Sequence, residues 1–163
     1  MDIGDHDEIE RIYRDRYGAF LRVAVAILRN EQLGEEVVHD AFVRALRHGR
    51  GFRGQGSREG WLFQIVLNEA RRRLGTEQRA MLSVLPVGSA TGASSNGHQE
   101  TGALAVLVAA LPERQRLALF LRYYADLDYE AIALALGVTS GTVAATLHTA
   151  HSALRRELLE VER

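Results

Sequence analysis

Few side chains in this sequence have the type and spacing for catalytic or metal chemistry. Glu36 and His39 stand three residues apart, a spacing that occurs in carboxylate-bridged metal sites on helices. Such a site also needs a second pair and further carboxylates from other helices, and the sequence offers neither. His148 and His151 are three apart as well, but no acidic residue lies close by and the chain has no cysteine. No phosphate-binding loop, nucleophile elbow or zinc spacing occurs, so we expect no metal, no cofactor and no enzyme activity.

The arginines offer a different chemistry, the binding of phosphate groups. All 20 basic side chains are arginine, whose planar guanidinium suits paired hydrogen bonds to phosphate oxygens. Between residues 44 and 73, eight arginines stand against two glutamates, a local balance of +6 in a chain of net charge −1. Phe52 and Trp61 lie in the same stretch, where they could meet exposed bases. The alternative is a solvated charged face, and for Trp61 by itself core packing is the favoured interpretation.

The stretch from Asp128 to Arg156 predicts two amphipathic helices joined by a tight turn. The first helix covers residues 128–136, and Gly137 supplies the backbone freedom that a sharp turn needs. Thr139 or Ser140 can cap the second helix. Its predicted apolar stripe is Val143, Leu147, Ala150 and Leu154. This order is typical of a helix-turn-helix, whose second helix enters the DNA major groove, although an αα-hairpin in a bundle core would look similar.

Three longer helices are predicted upstream. The first covers residues 7–29, with an interruption or bend near Gly18, and the second covers residues 34–48. An Arg- and Gly-rich loop follows, and Ser57 can cap a third helix that we expect to end at Gly75. The expected inward-facing residues are Val38, Ala41, Phe42 and Ala45 in the second helix, and Trp61, Leu62, Ile65, Val66 and Leu74 in the third.

Between these regions the composition changes. From Pro86 to Gly102, eleven of seventeen residues are Gly, Pro, Ser, Thr or Asn, too polar to offset the entropy of ordering, so a flexible linker is predicted. Residues 103–111 predict a short apolar helix that stops at Pro112. The next helix would place Leu117, Phe120, Leu121 and Tyr124 on one face.

The predicted fold is therefore all-α, with two small helical domains. An N-terminal helical bundle covers residues 1–77, a flexible linker residues 78–102, and a four-helix domain with the helix-turn-helix residues 103–163. The first ten residues are acidic where a signal peptide would be basic, and the longest apolar run contains Arg22 and is too short to span a bilayer. We expect a cytoplasmic protein without a membrane partner.

With these elements placed, the sequence resembles the extracytoplasmic-function group of sigma-70-type transcription initiation factors. Three segments of the first domain carry the resemblance: EEVVHDAFVRAL at residues 35–46, FRG at 52–54 and GWLFQIVLNEARRRL at 60–74. In the second domain, LPERQRLALFLRYYADLDYEAIALALGVTSGTV at residues 111–143 is similar to the family's region four. The two patterns in this order, with a linker between them, are specific to the group.

The resemblance implies a bacterial sigma factor that brings the RNA polymerase core to promoter DNA and has no catalysis of its own. The core-binding residues it implies are Glu35, Glu36, His39, Asp40 and Val43. Those implied for the −10 element are Arg50, Arg53, Gly54, Ser57, Trp61, Asn68, Arg71 and Arg72. Those implied for the −35 element, on a recognition helix at residues 139–151, are Thr139, Ser140, Thr142, Ala145, His148 and Thr149. Such factors are commonly held inactive by an anti-sigma protein, which is a further expected partner.

Two other functions stay open. The family pattern has basic residues where this chain has Ala144, Thr146, Thr149 and His151, and each missing phosphate contact weakens DNA binding. The chain could therefore be a sigma-like regulator or interaction protein that does not itself initiate transcription. A free-standing helix-turn-helix repressor is the third possibility, but it would need neither the acidic helix nor the Arg- and Gly-rich loop.

Overall fold

The computed structural model describes residues 3–49, 52, 54, 56–84 and 102–163, and every regular element in this part of the chain is a helix. The helices are α1 (Ile3–Leu28), α2 (Glu31–Arg47), α3 (Arg58–Val84), α4 (Ala103–Ala110), α5 (Glu113–Leu119), α6 (Tyr129–Leu136) and α7 (Ser140–Val161). The all-α prediction is confirmed. Among the described helices none is by itself long and apolar enough to cross a bilayer; α6 and α7 would qualify by length and composition only as a pair, bent by 97°.

Helices α1, α2 and α3 form the predicted N-terminal bundle around three phenylalanines. Phe20 stacks on Phe63 with ring centroids 4.1 Å apart and meets Phe42 edge to face at 4.9 Å. Helix α1 is not interrupted near Gly18, because it continues to Leu28; the alternative of a bend there stays a prediction. Nothing lies near Gly18, so the glycine costs only its helix propensity, about 1 kcal/mol. Burial of the following residues, Phe20 and Val23 among them, offsets that cost.

Helix α2 begins three residues before the predicted start at residue 34. Asn30 caps it by accepting a 3.0 Å hydrogen bond from the Leu33 backbone N–H. Gly34 lies inside the helix against α1, where an added Cβ would come within 2.8 Å of the Val25 Cγ2 atom. This glycine therefore marks a close approach of two helices rather than a helix end. The predicted inward-facing residues of α2 are buried.

Helix α3 begins as predicted, with the Gly60 backbone N–H donating to the Ser57 hydroxyl at 2.8 Å. The prediction that Gly75 ends it is wrong, since the helix continues to Val84. Gly75 has open space around it, and the good helix formers on either side offset its propensity cost of about 1 kcal/mol. The predicted domain boundary at residue 77 thus falls within a helix. The rest of the predicted linker, residues 85–101, lies outside the described residues, and the bounds predicted for the two domains stay a prediction.

The C-terminal domain contains the predicted helix-turn-helix. Gly137 has φ 69° at the end of α6, and the Thr139 hydroxyl accepts a 3.2 Å hydrogen bond from the Thr142 backbone N–H at the start of α7. The apolar stripe predicted for α7 faces inward, with Val143, Leu147 and Ala150 buried and Leu154 partly so. Helix α7 extends to Val161, ten residues beyond the predicted recognition helix.

One predicted face in this domain is only partly correct. Leu117 and Leu121 are buried, but Tyr124 is 45% exposed. Helix α5 continues into a π-helical turn at Phe120–Tyr124, where the Ala125 backbone N–H donates to the Phe120 carbonyl at 2.9 Å. The wider turn rotates Tyr124 away from the core, a change that a regular helical spacing does not predict.

The two domains touch along α3 and α6. Gly60 lies so close to α6 that an added Cβ would stand 2.9 Å from the Ala131 carbonyl oxygen. Two cationic contacts accompany this packing: Arg71 Nε lies 3.2 Å from Glu113 Oε1, and the Arg22 guanidinium lies 4.6 Å from the centre of the Tyr124 ring. The N-terminal end of α3, where the predicted DNA-binding residues begin, therefore also contacts the other domain.

Candidate nucleic-acid interface

The outer face of α2 collects the residues that the sequence predicts for polymerase binding. Glu35, Glu36, His39 and Asp40 are exposed and Val43 is half-buried, while the opposite face of the helix enters the core. The face is acidic, which suits a basic protein partner and repels DNA. Glu36 is not free of other contacts, because its carboxylate lies 2.7 Å from Arg73 Nη2 on α3. Within the described ranges, no three metal-ligating side chains come together around Glu36 and His39 or elsewhere.

The loop before α3 is built for tight backbone turns. Gly54 has φ 71° and Gly56 has φ 76°, conformations that cost residues with a Cβ but not glycine. Gly54 is exposed with nothing near it, whereas Gly56 approaches Leu134 on α6, to which an added Cβ would come within 3.4 Å. Arg50 and Arg53, two further predicted −10 contacts, lie outside the described residues.

Two aromatic rings stand at the junction of the loop and α3. Phe52 and Trp61 are half-buried, with ring centroids 5.6 Å apart. The guanidinium of Arg58 lies 4.6 Å from the centre of the Phe52 ring and is itself held by Asp5 at 2.7 Å and Glu8 at 2.9 Å. Trp61 packs against the core and keeps part of its surface in solvent, so the favoured interpretation of core packing is confirmed, and contact with a base stays a prediction.

The exposed side of α3 carries Asn68, Arg71 and Arg72 together, as predicted. All the arginines of α3 whose side chains are described are ion-paired: Arg58 with Asp5 and Glu8, Arg71 with Glu113, Arg72 with Glu69, and Arg73 with Glu36 and Glu77. Folding thus brings acids from α1, α2 and α5 onto the basic stretch. The local balance of +6 counted along the sequence overstates the free positive charge of this surface.

Glu69 is a residue of this surface that the sequence patterns did not single out. It is 3% exposed and lies between Arg72, which donates to its Oε1, and Arg44, whose Nη1 is 3.2 Å from its Oε2. The hydrogen bond and charge of Glu69 raise the pKa of Arg72. A signal was present in the sequence, since Glu69 stands three residues after the buried Val66 and three before Arg72, on the apolar side of the helix.

The second candidate surface is the exposed side of α7. Thr139, Ser140, Ala145, His148 and Thr149 are exposed and Thr142 is half-buried, so none of the predicted −35 residues belongs to the buried face of the helix. Two threonine hydroxyls are bonded to their own helix: Thr146 donates to the Thr142 carbonyl at 2.7 Å and Thr149 to the Ala145 carbonyl at 2.9 Å. Their protons are therefore engaged, and their lone pairs remain for a ligand.

A groove runs along this side of α7, and α5 forms its other wall. Arg114 and Gln115 line it together with Pro112 and the threonines of α7. A count of basic residues within the recognition helix alone does not include Arg114. The helix-turn-helix fold places this arginine, some thirty residues upstream, beside the predicted base-reading positions.

Comparison with known proteins matches both domains. Residues 12–80 match the family described as Sigma-70 region 2, and residues 101–154 match the family described as Sigma-70, region 4. An RNA polymerase sigma-E factor of Streptomyces avermitilis is 27% identical over 157 residues, covering 95% of this chain and 87% of that protein. The ECF RNA polymerase sigma-E factor of Escherichia coli is also 27% identical, over 154 residues, covering 82% of this chain and 78% of that protein.

Two solved structures have a similar fold. The sigma factor RpoE of Bartonella quintana, in complex with the anti-sigma factor NepR, has a TM-score of 0.67 and 23% identity over 96% of this chain and 99% of its own. CnrH, in complex with the cytosolic domain of CnrY, has a TM-score of 0.66 and 20% identity over 95% of this chain and 89% of its own. The arrangement of the described helices is therefore one that sigma factors adopt.

Proposed function

The chain belongs to the extracytoplasmic-function group of the sigma-70 family of bacterial RNA polymerase sigma factors, and from this premise we propose which of its surfaces bind the polymerase core and which bind promoter DNA. It directs promoter-specific transcription initiation, and the observation that carries this function is the order of its two domains. A region 2 match at residues 12–80 precedes a region 4 match at residues 101–154. A free-standing repressor would need only the second.

We assign binding of the polymerase core to the outer face of α2. Glu35, Glu36 and Asp40 give this face a negative charge, and His39 and Val43 add a hydrogen-bonding group and an apolar contact. An acidic helix face is complementary to a basic helical surface and is poorly suited to DNA. The assignment is supported by the exposure of four of these five side chains in a helix whose other side is buried.

We assign the −10 element to the loop and the exposed side of α3. Capture of an unpaired base costs a few kcal/mol of unstacking, which the site has to offset. Gly54 lets the backbone approach a strand closely, Ser57 is exposed at the start of α3, and the half-buried Trp61 could contact a base with the exposed part of its ring. Asn68, Arg71 and Arg72 lie further along the same helix and would hold the strand, with Arg50 and Arg53 in the loop.

We assign the −35 element to the groove between α7 and α5. Thr139, Ser140, Thr142, Ala145, His148 and Thr149 would face the base edges of the major groove. Arg114 adds a phosphate-binding group from α5 and offsets part of the shortage of basic residues in α7. Because that shortage remains, we expect the isolated protein to bind −35 DNA weakly and to depend on polymerase to raise its local concentration.

The working partners are then the polymerase core and promoter DNA, in the cytoplasm where both are found. The chain contributes recognition and has no catalytic step of its own. An anti-sigma protein is a further proposed partner, because the similar RpoE structure was solved with one. No membrane contact is part of this function.

A run-off transcription assay tests the proposal. The purified chain would be added to core RNA polymerase from Streptomyces coelicolor, with a library of promoter fragments as template. This organism is the source of a further sigma-E factor, which is 26% identical to the chain. We expect transcripts that depend on the added chain. Core binding without transcripts would favour the sigma-like regulator, and absence of core binding would contradict the proposal as a whole.

A further inference from the structure

Glu69 is the only charged or polar residue buried among the described parts of the chain, and none of the assignments above uses it. A carboxylate removed from water is unfavourable unless cationic or hydrogen-bonding groups replace its hydration. Its neighbours on the same side of α3, Val66 and Ala70, are fully buried. An apolar residue would fit the buried side of this helix better, so a carboxylate at this position suggests a specific role.

Two arginines from different helices meet on this carboxylate. Arg72, one turn further along α3, donates to Oε1, and Arg44 of α2 brings Nη1 to 3.2 Å from Oε2. Their side chains nevertheless remain 60% and 54% exposed. Each arginine therefore contacts Glu69 through its guanidinium while more than half of its side chain stays exposed to solvent. Within the described residues Oε2 has no well-aligned hydrogen bond, so Arg44 is held by charge more than by direction.

We propose that Glu69 is a positioning residue for promoter DNA, holding the guanidinium groups of Arg72 and Arg44 where both contact the phosphate backbone of the −10 strand. The inference rests on the proposed −10 role of α3 and adds Arg44, on α2, as a second phosphate-binding group. A free arginine side chain samples many rotamers, and ordering it on binding reduces affinity. Two arginines already fixed on one carboxylate avoid part of that penalty.

If the role of Glu69 were purely electrostatic, its removal would change the DNA affinity in the opposite direction, so the two roles can be distinguished by experiment. Glu69→Gln keeps the side-chain volume and removes one negative charge beneath two arginines. If Glu69 only offset their charge, the variant would bind DNA more tightly and with a steeper dependence on salt. If Glu69 positions them, the variant binds less tightly despite its more positive charge. The salt slope then becomes shallower by about one to two units, one for each phosphate that an arginine no longer neutralises.

The experiment uses holoenzyme assembled from the full chain and core polymerase. Its affinity for a labelled promoter fragment, selected with the wild-type chain in the run-off assay, is measured from about 50 to 200 mM salt. Glu77→Gln is the matched control, because Glu77 lies on the same helix, is 44% exposed and contacts Arg73 at 3.5 Å. It makes the same change in charge without touching Arg72 or Arg44. Core affinity and thermal unfolding are measured for each variant.

We expect Glu69→Gln to weaken promoter binding roughly tenfold at the upper end of that salt range, with wild-type core affinity, and Glu77→Gln to bind at least as tightly as wild type. Unchanged or tighter binding by Glu69→Gln overturns the inference, as does a parallel decrease in core affinity, which would indicate a structural role. Arg44→Ala decides the question if Glu69→Gln does not fold: the salt slope should fall by about one unit, and an unchanged slope overturns the proposal. A wild-type holoenzyme that binds no promoter fragment would overturn the proposed function, and this inference with it.

Discussion

The two surfaces that we propose for DNA binding carry different chemical groups. On α3 the proposed contacts are mainly arginines, and the α3 arginines with described side chains are paired with carboxylates from four helices. On α7 the proposed contacts are hydroxyl, methyl and imidazole groups, and two threonine hydroxyls are bonded to the helix that carries them. Three α3 arginines, Arg58, Arg71 and Arg73, have partners distant in sequence, whereas the two α7 hydroxyls are bonded within their own helix.

The difference shows that the formal charge of a segment is a poor measure of the positive charge available to bind DNA phosphates. An exposed ion pair contributes only about 0 to 1 kcal/mol, so a phosphate can replace the Glu113 carboxylate at Arg71 at little cost. If α3 binds DNA as proposed, we expect its exposed arginines to exchange carboxylate partners for phosphates. The α7 surface has few charges to exchange, and its affinity must come from fit to base edges and from Arg114. We expect the DNA affinity of the α3 surface to depend strongly on salt concentration, and that of the α7 surface to depend on it weakly.

The largest effect expected from this comparison is failure of promoter opening on changing α3. Arg72→Ala removes the fixed guanidinium and Asn68→Ala an exposed amide beside it, and each should abolish opening while core binding is retained. Permanganate footprinting of the melted strand and a core-binding titration measure the two steps separately.

Arg14→Ala is the control for the removal of one positive charge. Arg14 forms an exposed i,i+4 pair with Glu10 on α1, at 2.5 Å, away from the α3 surface. It should leave opening unchanged. If Arg72→Ala or Asn68→Ala also released the core polymerase, the division of labour between α2 and α3 would be wrong.

A second effect is expected where the two domains touch. Gly60→Ala places a methyl group 2.9 Å from the Ala131 carbonyl oxygen, so α6 has to move or the variant loses about 1–3 kcal/mol, the usual cost of overpacking. We expect a lower unfolding temperature and a larger radius of gyration in solution scattering.

Gly18→Ala is the matched control, since Gly18 is a helical glycine with open space around it. Alanine has the higher helix propensity, so this variant should gain up to about 1 kcal/mol without any change in radius. If the two variants showed the same changes in unfolding temperature and radius of gyration, α3 and α6 would not pack closely in solution.

Local sequence signals were enough to predict the helix-turn-helix. The stripe of Val143, Leu147 and Ala150, the left-handed Gly137 and the Thr139 cap all depend on residues within a few positions of each other. Those signals act through the backbone of one short segment, so they are visible in the sequence directly. The same holds for the Ser57 cap of α3.

Features that depend on distant partners could not be predicted in this way. Gly18 and Gly75 do not end their helices, because packing and neighbouring helix formers outweigh the local cost of a glycine. The ion pairs that the α3 arginines form with other helices join residues 37 to 53 positions apart in sequence, from Glu36–Arg73 to Asp5–Arg58. A count of charges within one segment of sequence cannot include such partners. The count for residues 44–73 therefore overstated the unpaired positive charge of this surface.

A smaller effect tests whether Thr139 acts as a cap or as a DNA contact. Thr139→Ala removes the acceptor of the Thr142 N–H and should cost about 1 kcal/mol of stability. Thr139→Asn restores a cap acceptor and should recover most of that stability in a denaturant titration. If the Asn variant recovers stability but not −35 binding, Thr139 also contacts DNA; recovery of both would limit its role to capping.

The smallest effect, and the one that bears most directly on the two surfaces, comes from adding charge to α7. Ala145 is exposed in the groove between α7 and α5, and Ala145→Arg would supply one phosphate-binding group of the kind found on α3. The slope of affinity against salt for a −35 duplex should steepen by about 0.9 units. The same substitution at Ser152, further along α7 and outside that groove, is the control and should change the slope less. An equal change at both positions would mean that α7 meets DNA through general charge alone, without the orientation that its groove implies.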